Sequence, residues 1–223
     1  MGKPYFGPEL FVFMEQLRRN NRRPWFLKHK QEFEEVVRQP SLRFITDLHF
    51  RLREISPWLV ADPSPNGGSL FRIYRDVRFS SDKSPYKTHV GMNFWHASAT
   101  EAGHSPGLYF HLEPGSCFLA GGTWRPDPRT LARIRDAIAS RPEDWKTAKR
   151  GVQLGGDALS RPPRGYCADH PMIEDLKRKD LIASFDLSKT QVCGPKLMKE
   201  FLRSARKLVP LMQFLSEAVK LRF

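Results

Sequence analysis

Three cysteines in 223 residues, Cys117, Cys167 and Cys193, are odd in number and far apart, and no Cys-x-x-Cys occurs. That spacing excludes a disulfide framework and a structural zinc module of the usual kind. No apolar run approaches the ~18–20 residues of a membrane span. The opening Met1-Gly2-Lys3-Pro4-Tyr5 lacks the apolar core of a signal peptide, and Phe6 stands where a myristoylation signal would have Ser or Thr. A cytoplasmic protein without a membrane partner is therefore expected. Internal repeats and low-complexity linkers are also missing. So are G-x-G-x-x-G opening a helix and a helical His-Glu-x-x-His, which argues against a dinucleotide fingerprint and a zincin.

Acidic residues are in deficit. Lys and Arg number 37 against 24 Asp and Glu, for a net charge of +13. Such an excess invites an anionic partner: a phosphorylated or carboxylated metabolite, nucleic acid or an acidic surface. The basic residues are spread along the chain rather than run together, which weakens the nucleic-acid reading.

Apolar spacing predicts a helix over Glu9–Arg19, stopped by Asn20-Asn21, and a second from Arg22-Arg23-Pro24 to about Arg38, ended by Pro40. A third is expected over about 41–55. Four strands follow, Phe71–Phe79, Tyr86–Ala97, Gly107–Glu113 and Ser116–Trp124, with a hairpin signal at Glu113-Pro114-Gly115-Ser116. Asp127-Pro128 starts another helix, and Glu143–Arg150 is a shorter one. Leu154–Tyr166 reads as a hairpin, Asp169-His170-Pro171 as the cap of a helix through Lys179, and Ile182–Leu187 as a short strand. Pro195–Phe223 is a long amphipathic helix, kinked or broken at Pro210. These elements define one α+β domain over 1–223. A helical part (8–56) comes first, then a central antiparallel meander (70–125), a mixed part (127–190) and a C-terminal helix (195–223).

The densest charge lies in Phe71–Lys87, where Arg72, Arg75, Arg78, Lys83 and Lys87 accompany Asp76 and Asp82. Its first half alternates with period 2. Arg75 breaks the alternation by falling among apolar positions, so it needs an acidic partner from elsewhere or a bulge. Ser81–Pro85 reads as a turn in which Asp82 and Ser84 bond nearby backbone N–H groups. In simple register one sheet face would gather Arg72, Tyr74, Asp76 and Arg78 with Lys87, His89, Asn93, Tyr109, His111 and Glu113. Arginine grips carboxylate or phosphate with paired N–H donors, and lysine adds a point charge. The expected ligand residues are Arg72, Arg75, Asp76, Arg78, Lys83, Tyr86 and Lys87, with His89 and His111 as proton carriers. The competing reading is a structural ion-pair network.

Three other constellations stand out. His89, His96, His104 and His111 with Glu113 are metal-ligand types, but their spacing matches no dedicated motif, so no metal and no cofactor is assigned. Trp25, Phe26, Trp95 and Trp124 near Asn20–Arg23 and Arg125 suit base stacking, which makes nucleic acid the alternative partner. Cys117 as a nucleophile would need a base, nominally His111. A structural or interaction module without a small ligand is the third reading.

Asn20-Asn21-Arg22-Arg23-Pro24-Trp25-Phe26, the Phe71–Lys87 stretch, Gly121-Gly122-Thr123-Trp124-Arg125-Pro126 and Arg164-Gly165-Tyr166 before Asp169-His170-Pro171 occur together. In this combination the chain resembles a family of bacterial and fungal proteins known only as a conserved domain of unknown function. The resemblance spans nearly the whole chain. It implies a single intracellular domain and assigns no catalytic residue.

Overall fold

The structure, a computed structural model, describes residues 2–98 and 105–223. Helix α1, Pro8–Arg19, has Pro in its first turn and buries Leu10, Phe11, Phe13, Met14 and Leu17 along one stripe. Asn20 ends it, though not in the left-handed conformation: its φ is −126°, and its side-chain amide donates to the Gln16 carbonyl at 3.0 Å.

Helices α2 (Arg23–Lys28) and α3 (Lys30–Phe33) are joined through His29. A π turn, Glu34–Arg38, then leads directly into α4, Gln39–Leu52. The expected stop at Pro40 is overturned. Proline removes one i→i−4 donor and crowds the preceding turn, and a π turn placed just before it shifts the bonding pattern so that the helix continues. The Ser41 hydroxyl adds a 2.7 Å bond back to the Val37 carbonyl.

Strands β1 (Val90–Phe94), β2 (Gly107–Glu113) and β3 (Ser116–Thr123) form the meander. Glu113 faces Ser116 across a two-residue turn, where Gly115 has φ +85°, a value a side chain would resist. Helix α5, Pro128–Ser140, is capped as expected: the Asp127 carboxylate accepts from the N–H groups of Arg129 and Thr130. Helix α6, Pro142–Ala148, buries Trp145. Strand β4 is only Leu154–Gly155, not a hairpin through Tyr166, and α7 is only Ile173–Leu176, shorter than expected. Strand β5 (Leu181–Asp186), α8 (Lys189–Val192) and α9 (Leu197–Ala218) complete the chain. Helix α9 runs through Pro210 without a break.

Among the described residues the strands form one five-stranded sheet in the order β1-β2-β3-β5-β4, antiparallel throughout. One face carries Val90, Met92, Phe94, Leu108, Phe110, Leu112 and Leu119, all buried. Helices α4 and α9 cover it: Phe44 and Phe201 lie 5.5 and 5.4 Å from Phe110, ring centre to ring centre. Each such ring, fully buried, contributes about 1.5–3 kcal/mol. A Cβ on Gly121 would sit 2.9 Å from the Leu208 side chain, so this glycine lets α9 close on β3. The core is one continuous cluster from Phe6 to Leu215. None of the described helices is long and apolar enough to cross a membrane.

Phe71–Phe79 is not a strand, which is the main departure from expectation. It pairs with its neighbours only at scattered points: single bridges join Leu70 with Met92 and Tyr74 with Tyr86, and backbone bonds run from Phe71 to Gly91, from Arg75 to Pro85 and from Lys87 to Ile73. Side chains meet several of the remaining backbone groups. Lys87 Nζ donates to the carbonyls of Arg72 (2.6 Å) and Tyr74 (2.9 Å), and Lys83 Nζ to that of Val77 (3.0 Å). The Arg78 N–H goes to Asp76 Oδ1 at 3.2 Å. With several of its backbone groups met by side chains, the segment pairs with 85–91 without forming a regular ladder.

Candidate functional site

On the sheet face away from α4 and α9, Tyr109, His111 and Glu113 project side by side from alternate positions of β2. They make a line of hydrogen bonds. Tyr109 Oη lies 3.0 Å from His111 Nδ1, and His111 Nε2 lies 3.2 Å from Glu113 Oε2. Glu113 Oε1 accepts from Arg18 Nη2, at the end of α1, at 2.7 Å. With the carboxylate accepting from Nε2–H, Nδ1 is the acceptor for the tyrosine hydroxyl. Burial, with the Glu113 charge adding to it, pushes the Tyr109 phenol up to about 12. Burial also works to raise the Glu113 carboxyl, but hydrogen bonds from His111 and Arg18 outweigh it and bring the group below its usual range.

His89 stacks on His111 with ring centres 4.7 Å apart. Burial first, then the neighbouring His111, lowers its pKa to about 4. It opens into a cleft of about 640 Å³ lined by Arg18, Asn21, Arg75, Asp76, Asp82, Ser84, Tyr86, Lys87, Thr88 and His89. The half-buried Lys87 ammonium also loses its proton more readily than usual, through burial and then through Arg72.

The expected single face of charge does not form, because the segment that would supply half of it is not a strand. Of the expected ligand residues, Arg75, Asp76, Tyr86 and Lys87 reach the cleft wall with His89, whereas Arg72, Arg78 and Lys83 are not part of it. Tyr86 offers little surface, since its side chain is buried and its ring stacks on Phe26 at 4.2 Å. Arg75 finds its acidic partner in Asp82. Hydrogen bonds from Ser84, then from Arg75, hold the Asp82 carboxyl well below the usual carboxylate range. Arg78 and Asp76 form an exposed pair at 2.7 Å, which lowers Asp76 to about 2.

Arg18 and Thr88 in the wall carried no functional signal in the sequence, and Asn21 entered only within Asn20–Arg23 beside the aromatic residues. Asn21 reads as a helix stop, yet its side chain grips the Tyr86 backbone at both ends. Nδ2 donates to the carbonyl at 2.9 Å and Oδ1 accepts the N–H at 3.0 Å. The co-occurrence of the Asn-Asn-Arg and Pro-Tyr-Lys segments was the one available pointer.

The histidine and Cys–His constellations come apart. His96 is buried, with Nε2 2.6 Å from the Arg222 carbonyl oxygen, and His104 lies outside the described residues. Among the described residues no three His, Cys, Asp or Glu side chains are grouped to hold a metal. Cys117 sits opposite Leu112 on the core face, while His111 faces Phe118 on the other, so no Cys–His dyad forms. Burial raises the Cys117 thiol. Phe26 is core, and Trp124 is 57% exposed beneath the Arg125 guanidinium at 4.7 Å.

Fold and site together describe an α+β protein with a charged, histidine-edged cleft beside an open antiparallel sheet. The chain belongs to the family described as "Conserved hypothetical protein (DUF2461)", whose model matches residues 9–214. No curated protein and no solved structure gives a significant match.

Proposed function

We propose that the chain binds a small anionic ligand bearing phosphate or carboxylate in the cleft at Arg75, Lys87 and His89. One observation carries this reading. Arg18, Arg75, Lys87 and His89 share one wall, and both Lys87 and His89 hold their protons weakly there. A bound anion would pair with the partly desolvated Lys87 ammonium, whose neighbours Arg18 and Arg75 already hold carboxylates, and perturbed groups gathered in a cleft mark functional sites. His89 and the Glu113-tethered His111 serve as proton carriers in this reading. The chain is taken as one cytoplasmic domain, supported by its continuous core and by three cysteines free of disulfides.

The test is a thermal-shift screen of phosphates, carboxylates, divalent metals and an oligonucleotide at low and high salt. A salt-resistant rise in melting temperature with one small anion, lost in Lys87→Met and in His89→Asn, is the expected result. Stabilisation by the oligonucleotide alone, gone at high salt, would move the assignment to nonspecific nucleic-acid binding. No shift from any class would leave an interaction module.

A further inference from the structure

The anion cleft is bordered by aromatic surface that an anion site alone does not require. Phe71 is 43% exposed and Tyr74 52% exposed. Both are tied to the cleft wall. Lys87 Nζ lies 6.0 Å from the Phe71 ring centre and donates to the Tyr74 carbonyl at 2.9 Å. The Tyr74 ring lies 5.5 Å from that of Tyr86, a wall residue. Further along the same segment Phe79 is 95% exposed, with the Arg78 guanidinium 5.8 Å from its ring centre. Three exposed rings thus alternate with cations on one stretch.

We propose that the ligand is a nucleoside phosphate, its phosphate among Arg75, Lys87 and His89 and its base stacked on the exposed ring of Tyr74 or Phe71. This rests on the anion reading above. The cleft, at about 640 Å³, falls in the range of sites that enclose a whole small molecule rather than a bare ion. Lys87 spends two of its N–H donors on the carbonyls of Arg72 and Tyr74, and an ammonium has a third to offer an oxyanion. The hydroxyl-bearing side chains of Ser84 and Thr88 line the same wall and suit a sugar. Aromatic rings beside cations are the means by which proteins hold bases without reading their edges. The same unit occurs in free nucleotides and in a single strand, and Phe79, beyond the cleft wall, distinguishes the two.

The experiment is equilibrium binding to the full chain at about physiological salt, using inorganic phosphate, ribose 5-phosphate, a mononucleotide and a short single-stranded oligonucleotide. The mononucleotide should bind about 10–100-fold more tightly than ribose 5-phosphate, the gain from one stacked base. Tyr74→Ala together with Phe71→Ala should abolish that gain and leave binding of inorganic phosphate unchanged, while Tyr74→Phe keeps the gain. Equal affinity for ribose 5-phosphate and mononucleotide would overturn the proposal with the anion site intact. So would a gain that survives loss of both rings. Failure of all four ligands would instead remove the anion reading, and this one with it. If the site takes a unit of a strand, Phe79→Ala weakens the oligonucleotide and spares the mononucleotide. If it takes free nucleotides, Phe79→Ala weakens neither.

Discussion

Burial keeps the His89 imidazole neutral well into the acid range, with a folded pKa of about 4 against 6.5 for an ordinary histidine. Between those values the unfolded chain binds more protons than the folded one. The contribution of His89 is therefore complete above about pH 6.5 and is lost as pH falls towards 4. Groups facing it from β2 and the cleft wall act in both directions: Glu113 favours the charged form, while His111, Lys87 and Arg75 oppose it. Urea melts across this window should show His89→Gln losing less stability on acidification than the parent. The Asn21 clamp makes a second expectation. Removing both of its bonds to the Tyr86 backbone in Asn21→Ala should cost about 1–3 kcal/mol by denaturant unfolding. Arg78→Ala should leave the melting temperature nearly unchanged, because the Arg78–Asp76 pair is exposed. At this scale the sequence showed Arg75 in need of an acid but not where that acid lay. Asn21 was unreadable because its partner is 65 residues away, and no local pattern encodes such a bond.

Elements were legible where spacing alone decides them. The stripe of α1, the Asp127 cap of α5 and the Pro-Gly turn of the β2–β3 hairpin are as expected. They failed where long-range packing overrules a local breaker. Pro40 and Pro210 both sit within helix because buried neighbours on either side, Val37 with Phe44 and Leu208 with Leu211, hold the helical path. Pro210 itself is exposed, so Pro210→Ala should restore one helical hydrogen bond and raise stability by about 1–3 kcal/mol in urea melts. The reverse holds at the β3–β5 pair. Gly122 has φ +128°, and a Cβ there would stand 2.0 Å from the Leu181 carbonyl oxygen. Gly122→Ala should cost at least about 3 kcal/mol, read as a sharp fall in melting temperature or loss of soluble protein. Phe71–Phe79 misled in a different way. Its alternation is real, but lysine side chains take the carbonyls of Arg72, Tyr74 and Val77, and period 2 without a regular ladder looks the same in one dimension.

For the whole molecule, the α+β architecture with a helix-backed antiparallel sheet was readable from the order of the elements. The site was readable only in part, because the cleft is assembled from Arg18 in α1, Asn21 just after it and the 75–89 segment, and only the last is rich in charge. The net charge of +13 adds a diffuse attraction for any polyanion. That component should collapse between about 50 and 200 mM salt, whereas a ligand seated in the cleft should lose far less. A salt titration of oligonucleotide and mononucleotide binding separates the two.

Strand β1 lies at the edge of the sheet. Its outer side is not bare: Phe71 donates to the Gly91 carbonyl at 2.9 Å, Asn93 to that of Ser69 at 2.8 Å, and Val60 to that of Trp95 at 2.9 Å. The opposite edge, β4, is only two residues long. An uncovered edge is a template on which another chain can add a strand. The residues that lead into the binding segment therefore also guard against self-association, and whatever loosens Ser69–Phe71 exposes a row of unpaired amides. Impaired ligand contact and a tendency to form aggregates would then arise from the same lesion.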